Sequence, residues 1–159
     1  NLCVWNKTNG GMGSFYRSKH ELVCVFKNGR APHINNIELG RHGRDRTNVW
    51  DYPGVNSFGR DRDSALAMHP TVKPVNLVAD VILDASRRGG VVLDAFLGSG
   101  TTLIAAEKTG RRCFGMEISA QFTDVAVRRW QESSGAEATL ESSGKTFAAT
   151  RADRTRNEE

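Results

Sequence analysis

The stretch that most restricts this chain is VVLDAFLGSGTT at Val91–Thr102, with RCFGMEIS following at Arg112–Ser119. Val91 to Asp94 is a short apolar run of the kind that forms a buried strand. Gly98 and Gly100 then remove side chains where the backbone must turn tightly and where a ligand can approach it. Thr101 to Lys108 resumes helical spacing until Gly110 stops it, and Arg112 to Ile118 reads as the next strand, with Glu117 near its tip. Strand, glycine turn, helix and strand predict a parallel α/β arrangement, in which ligands bind at the carboxyl ends of the strands. An acid at the tip of the second strand can accept hydrogen bonds from both hydroxyls of a ribose. The glycines alone would be a loop, and Glu117 alone a solvated strand end; together they point to a nucleoside site. A phosphate-cradling loop needs Lys followed by Ser or Thr after its last glycine, where this chain has Thr101-Thr102. A dinucleotide site wants a small residue where this chain has Leu103.

The remaining elements fit around that unit. Leu2–Trp5 and Glu21–Lys27 are apolar runs separated by the polar, glycine-rich Asn6–Ser14, and the second closes on Asn28-Gly29; both predict strands. From Arg30 to about Ala65 no helical or strand period survives, and Arg, Asn and His alternate with single aromatics such as Trp50 and Tyr52. A structureless stretch of that length inside a domain is usually functional or disordered, and the aromatic anchors argue against plain disorder. Val75–Arg88 predicts an amphipathic helix behind a proline start, ended by Gly89-Gly90, and Gln121–Trp130 predicts another. The expected fold class is α/β, Rossmann-like, with an irregular insertion. The net charge of +4 and pI near 9.2 permit a polyanionic partner without identifying one. Cys3, Cys24 and Cys113 lack metal-site spacing and read as buried free thiols of a reducing cytosol. No apolar stretch approaches the roughly 20 residues needed to span a bilayer, and the expectation is a cytoplasmic protein with neither a membrane nor a metal.

HPTVKP at His69–Pro74, DAFLGSGTT at Asp94–Thr102 and GMEIS at Gly115–Ser119, in that order after a polar segment, resemble the β-group S-adenosylmethionine-dependent DNA amino-methyltransferases. CVWNK at Cys3–Lys7 and HELVCVFKNG at His20–Gly29 resemble the strands that follow the catalytic strand in that family. The likeness runs to about Phe147 and implies a methyltransferase fold holding S-adenosyl-L-methionine. It also implies methyl transfer to the exocyclic nitrogen of adenine or cytosine in double-stranded DNA, with self-association into a homodimer left open. Asp94, Phe96, Gly98, Ser99, Gly100 and Thr101 match the cofactor loop, Glu117 the ribose-binding acid, and Thr71 and Lys73 the segment near the cofactor's charged amino-acid end. Ala95 departs from the family's usual Pro, which loosens the turn without removing a contact group. The segment rich in Arg and Asn matches the target-recognition position, with Arg41, Arg44, Arg46, Asn48 and Arg60 as candidate DNA contacts. For any single arginine the first reading is a solvated, charge-mixed loop in which Asp45, Asp51 and Asp61 neutralise neighbours. Asn9–Gly13 is a candidate rim of a flipped-base pocket or a plain glycine turn.

The expected division is 1–29 as strands of the catalytic half, 30–66 as recognition segment, 67–147 as cofactor half and 148–159 as a disordered tail. The family's catalytic tetrapeptide, a polar residue followed by Pro-Pro and an aromatic, does not occur, since none of the four prolines is adjacent to another. With the chain opening directly on Asn1, the expectation is a fragment, inactive alone and poorly able to fold by itself. A non-catalytic DNA-binding module on the same scaffold is the alternative reading. A nicotinamide-dependent oxidoreductase is a third.

Overall fold

The computed structural model describes residues 1–54 and 72–156. Among them run β1 (Leu2–Asn6), β2 (His20–Cys24), β3 (Val49–Asp51), α1 (Val75–Ala85), β4 (Val91–Asp94), α2 (Thr101–Thr109), β5 (Arg112–Gly115), α3 (Ala120–Ser134) and α4 (Phe147–Arg156). The fold class is the expected mixed α/β one, with the sheet in two pieces among the described residues: β2-β1-β3 and β4-β5.

The first sheet is an antiparallel hairpin with a parallel third strand, in register Trp5↔Glu21 and Trp5↔Trp50. Cys3, Trp5 and Trp50 are its buried side chains. Both indoles also satisfy their polar edge: Trp5 Nε1 donates to the Tyr52 carbonyl at 2.8 Å and Trp50 Nε1 to the Thr47 carbonyl at 3.0 Å. Strand β3 lies inside the stretch read above as irregular. Three residues are too few to display a period of two, so only its pairing with β1 reveals it.

In the second piece β4 and β5 run parallel, Leu93 beside Phe114, joined through α2. Alternation puts Val92 and Cys113 on the face that α1 and α2 cover, around Ile82, Ala105 and Ala106. The two alanines are fully buried and let α2 lie close against α1. Gly110 ends α2 in the left-handed region at φ 69°, its N–H returning to the carbonyls of Ala106 and Glu107, an end only glycine accepts without strain. Helix α1 spends its other face on the first sheet's loops. Asn36 Nδ2 caps the Leu83 and Ser86 carbonyls, both at 2.7 Å; Arg46 Nε lies 2.9 Å from Asp84; and the Tyr52 hydroxyl donates to Asp80.

The tail departs from expectation, since residues 148–156 continue helix α4 instead of being disordered. Cys3 is buried and Cys113 partly so, but Cys24 is exposed, and all three are free thiols. Among the described residues no helix is long and apolar enough to cross a membrane.

The uncovered face of β4-β5 carries Val91, Leu93, Phe114 and Met116 at 55%, 67%, 58% and 57% exposure. A two-stranded sheet with one bare apolar face is marginally stable. The purified 159-residue chain is therefore expected to bind a hydrophobic dye at room temperature and to melt over a broad interval. A single sharp transition without dye binding would contradict this.

Candidate functional site

The glycine turn opens on a cavity of about 390 Å³ whose walls include Lys73, Asp94, Phe96, Gly98, Thr101 and Glu117. Ser99, Leu97, Val78 and Phe122 complete most of the lining. The backbone enters the turn through Met116, whose N–H donates to the Asp94 carbonyl at 2.8 Å, and Leu97, whose N–H donates to the Met116 carbonyl at 2.9 Å. The Asp94 carboxylate accepts from the Phe96 N–H at 3.0 Å, which bends the chain at the strand end and leaves the Phe96 ring 90% exposed. Gly98 and Gly100 follow at φ 54° and 81°.

Glu117 faces this turn. Its Oε2 accepts from the Gly98 N–H at 2.8 Å and its Oε1 from the Ser119 N–H at 2.9 Å. The following residue, Ile118, is fully exposed and borders a second cavity of about 400 Å³ that shares Glu117 and is also lined by Leu140, Phe147 and Arg154. Sequence reasoning passed over Ile118. The available signal was an apolar residue at a strand tip where a polar one would be expected.

Lys73 reaches the site from the other side. Its carbonyl accepts from the Thr101 hydroxyl at 3.3 Å, and its Nζ lies 2.9 Å from Glu21 of β2. Lys7 Nζ meets the other Glu21 oxygen at 2.5 Å, and both ammonium groups sit over the Trp5 ring, at 4.9 and 5.7 Å. Burial raises the Glu21 pKa, but Lys7 and Lys73 together outweigh it and hold the carboxyl below its ordinary 4.5.

Of the sequence-predicted cofactor residues, Lys73, Asp94, Phe96, Gly98, Ser99, Thr101 and Glu117 are thus gathered on one cavity, with Gly100 behind it against Ala126. Thr71 lies outside the described residues, as does Arg60 among the candidate DNA contacts. Arg41 and Arg44 are exposed and share Glu38. Arg46 is committed within the fold, to Asp84 and the Trp50 ring 5.6 Å away. Asn48 is committed too, its amide donating to the Leu2 carbonyl at 2.8 Å.

This geometry has counterparts among known proteins. The profile of the family described as DNA methylase, of N6 and N4 type, matches residues 1–128. Type II methyltransferase M2.MboI of Moraxella bovis is 29% identical over 139 residues, covering 83% of this chain and 50% of that protein. DNA adenine methyltransferase YhdJ of Escherichia coli K12 is 34% identical over 112 residues, 70% of this chain and 34% of that one. Among solved structures, PvuII DNA methyltransferase, titled cytosine-N4-specific, superposes with a TM-score of 0.66 at 19% identity, covering 81% of this chain and 50% of that one. The Thermus thermophilus protein TTHA0409, a putative DNA modification methylase complexed with S-adenosyl-L-methionine, gives 0.54 at 25% identity, covering 84% and 53%. The chain spans about half the length of M2.MboI and a third of YhdJ.

Two outcomes follow from the packing. A Cβ on Gly100 would stand 2.9 Å from Ala126 Cβ at a positive φ, whereas one on Gly135, at φ 73°, would meet nothing within 4 Å. Gly100→Ala is expected to destabilise the chain by roughly 1 to 3 kcal/mol beyond Gly135→Ala in denaturant titrations, and equal losses would contradict the packing. A carboxyl with a depressed folded-state pKa contributes stability that is present above its unfolded pKa and lost as pH falls through the folded one. Glu21→Gln should therefore lower stability at pH 7 and flatten its decline below about pH 4.5; an unchanged pH profile would count against the Lys7–Glu21–Lys73 bridge.

Proposed function

The chain belongs to the DNA methylase family of N6 and N4 type, and from that membership we propose that the protein works in transferring a methyl group from S-adenosyl-L-methionine to the exocyclic amino nitrogen of adenine or cytosine in DNA. The observation that carries this reading is the Glu117 carboxylate set across the turn from Gly98, in a cavity that Lys73 and Thr101 also border.

The donor set suits the group. The Glu117 carboxylate, held at the turn by the Gly98 and Ser119 N–H groups, is the acceptor type that ribose hydroxyls need, and the apolar Ile118 beside it offers a surface for a purine ring. The start of α2 presents backbone N–H groups at Thr101 and Thr102, where a helix terminus favours a carboxylate. Lys73 adds a cation there, its position set by Glu21 and by the Trp5 ring. Asp94 and Phe96 hold the turn open at the end of β4. When bound, the cofactor supplies a methyl on a sulfonium, which leaves by displacement at carbon, so holding the reactants at near-attack distance does much of the work.

No residue among these 159 is assigned the task of orienting the target amino group, because the Pro-Pro-aromatic tetrapeptide that does so in the family is not among them. For DNA, Arg41 and Arg44 are the described candidates that face solvent, and their guanidinium groups suit phosphates.

Calorimetric titration of S-adenosyl-L-methionine tests the reading. The unaltered protein should bind, while Gly98→Asp, which places a carboxylate beside Glu117 at a strained φ, and Glu117→Ala should each lose at least about tenfold in affinity. Full affinity in both variants would remove the proposed site.

A further inference from the structure

Helix α3 turns a single stripe toward the glycine turn. Phe122, Ala126 and Arg129 follow one another at spacings of four and three, which puts them on one face of a helix with 3.6 residues per turn, and Ser119 caps its start. Each meets a different part of the cavity's frame. The Ser119 N–H holds Glu117, and the Phe122 ring lines the cavity. Ala126 packs on Gly100 so closely that no larger residue fits opposite. Arg129 Nη1 donates to the Ser99 carbonyl at 2.5 Å and to the Ser99 hydroxyl at 2.8 Å.

The last contact differs in kind from the others. Ser99 is 4% exposed, and a buried peptide carbonyl needs a partner. Arg129 provides one at a cost, because partial burial holds its guanidinium below its ordinary pKa against the opposing influence of Glu132. Fixing the Ser99 carbonyl toward α3 also fixes the plane of the Ser99–Gly100 peptide. Its N–H end then points to the Leu97 carbonyl at 3.0 Å, and α2 begins immediately after, with the Gly100 carbonyl accepting from Ile104. The direction of the first α2 N–H groups therefore depends on that plane.

Resting on the cofactor reading above, we propose that Arg129 is a positioning residue for the amino-acid end of the cofactor, acting through the Ser99 carbonyl and without touching the ligand. The bonds of Arg129 go to Ser99 and those of Glu117 to the Gly98 and Ser119 N–H groups, so the nucleoside end should sense the contact far less.

The test compares two probes by calorimetry: S-adenosyl-L-methionine, and 5′-methylthioadenosine, which keeps the nucleoside and sulfur but lacks the amino-acid part. Arg129→Met is expected to weaken S-adenosyl-L-methionine roughly tenfold and methylthioadenosine by less than about twofold, as suits loss of one charge-assisted hydrogen bond. Arg129→Lys, which keeps a cationic donor and covers the case in which the Met variant fails to fold, should fall between wild type and that tenfold loss with the same selectivity. Equal weakening of both probes, or unchanged affinity for S-adenosyl-L-methionine, would overturn the proposal. Failure of the unaltered protein to bind either probe would instead overturn the cofactor reading.

Discussion

The bond from the Gly98 N–H to the Glu117 carboxylate ties together the ends of the two parallel strands, and the site's geometry depends on it. β4 and β5 share four paired positions, enough to align their carboxyl ends but not to dictate what the chain does beyond them. There the Asp94 and Met116 backbone bonds carry the register one step further, and the Glu117 carboxylate takes the Gly98 N–H. A charged acceptor on a backbone N–H is roughly twice as strong as a neutral pair, which suits a turn built from glycines with little side-chain packing of their own. The same carboxylate also takes the Ser119 N–H, so the start of α3 is set by the residue that sets the turn.

Outward from that point the contacts become polar. The first sheet and its loops meet α1 and the Lys73 segment through Asn36, Arg46, Tyr52 and Glu21, among hydrogen bonds and ion pairs. Such contacts fix geometry well but contribute less stability than apolar burial, and partly exposed pairs contribute least. Asp84 shows the cost: burial and its neighbour Asp80, one turn away, hold its carboxyl above the usual range although Arg46 pulls it down. The halves are thus oriented by directional bonds, while the apolar face of β4-β5 stays bare among the described residues.

Much of the cofactor half was legible because glycines and helical periods are local signals. Gly100 and Gly110 bracket α2 where expected, whereas β5 ends at Gly115, short of the expected Ile118, and Glu117 lies two residues beyond it, holding the Gly98 and Ser119 N–H groups. Other features are invisible locally. β3 is too short to show a period, and FAATRADRTR in α4 has no clear apolar stripe, so its helix was read as a tail. Which arginines face inward is a matter of tertiary contact: Arg46 looks like Arg41 and Arg44 in sequence, yet stacks on Trp50 and pairs with Asp84. Arg129, thirty residues beyond Ser99, is an ordinary charged helix position until the two are brought together.

The turn between β4 and α2 is, on this reading, the surface a sulfonium nucleoside meets. The most direct measurement is amide NMR of the isotopically labelled protein during addition of S-adenosylhomocysteine, the stable product. Saturable shifts are expected at Gly98, Gly100, Thr101 and Ile118, with Gly29 and Gly135 unmoved. Shifts confined to residues away from the β4–α2 turn, or none at saturating ligand, would contradict it.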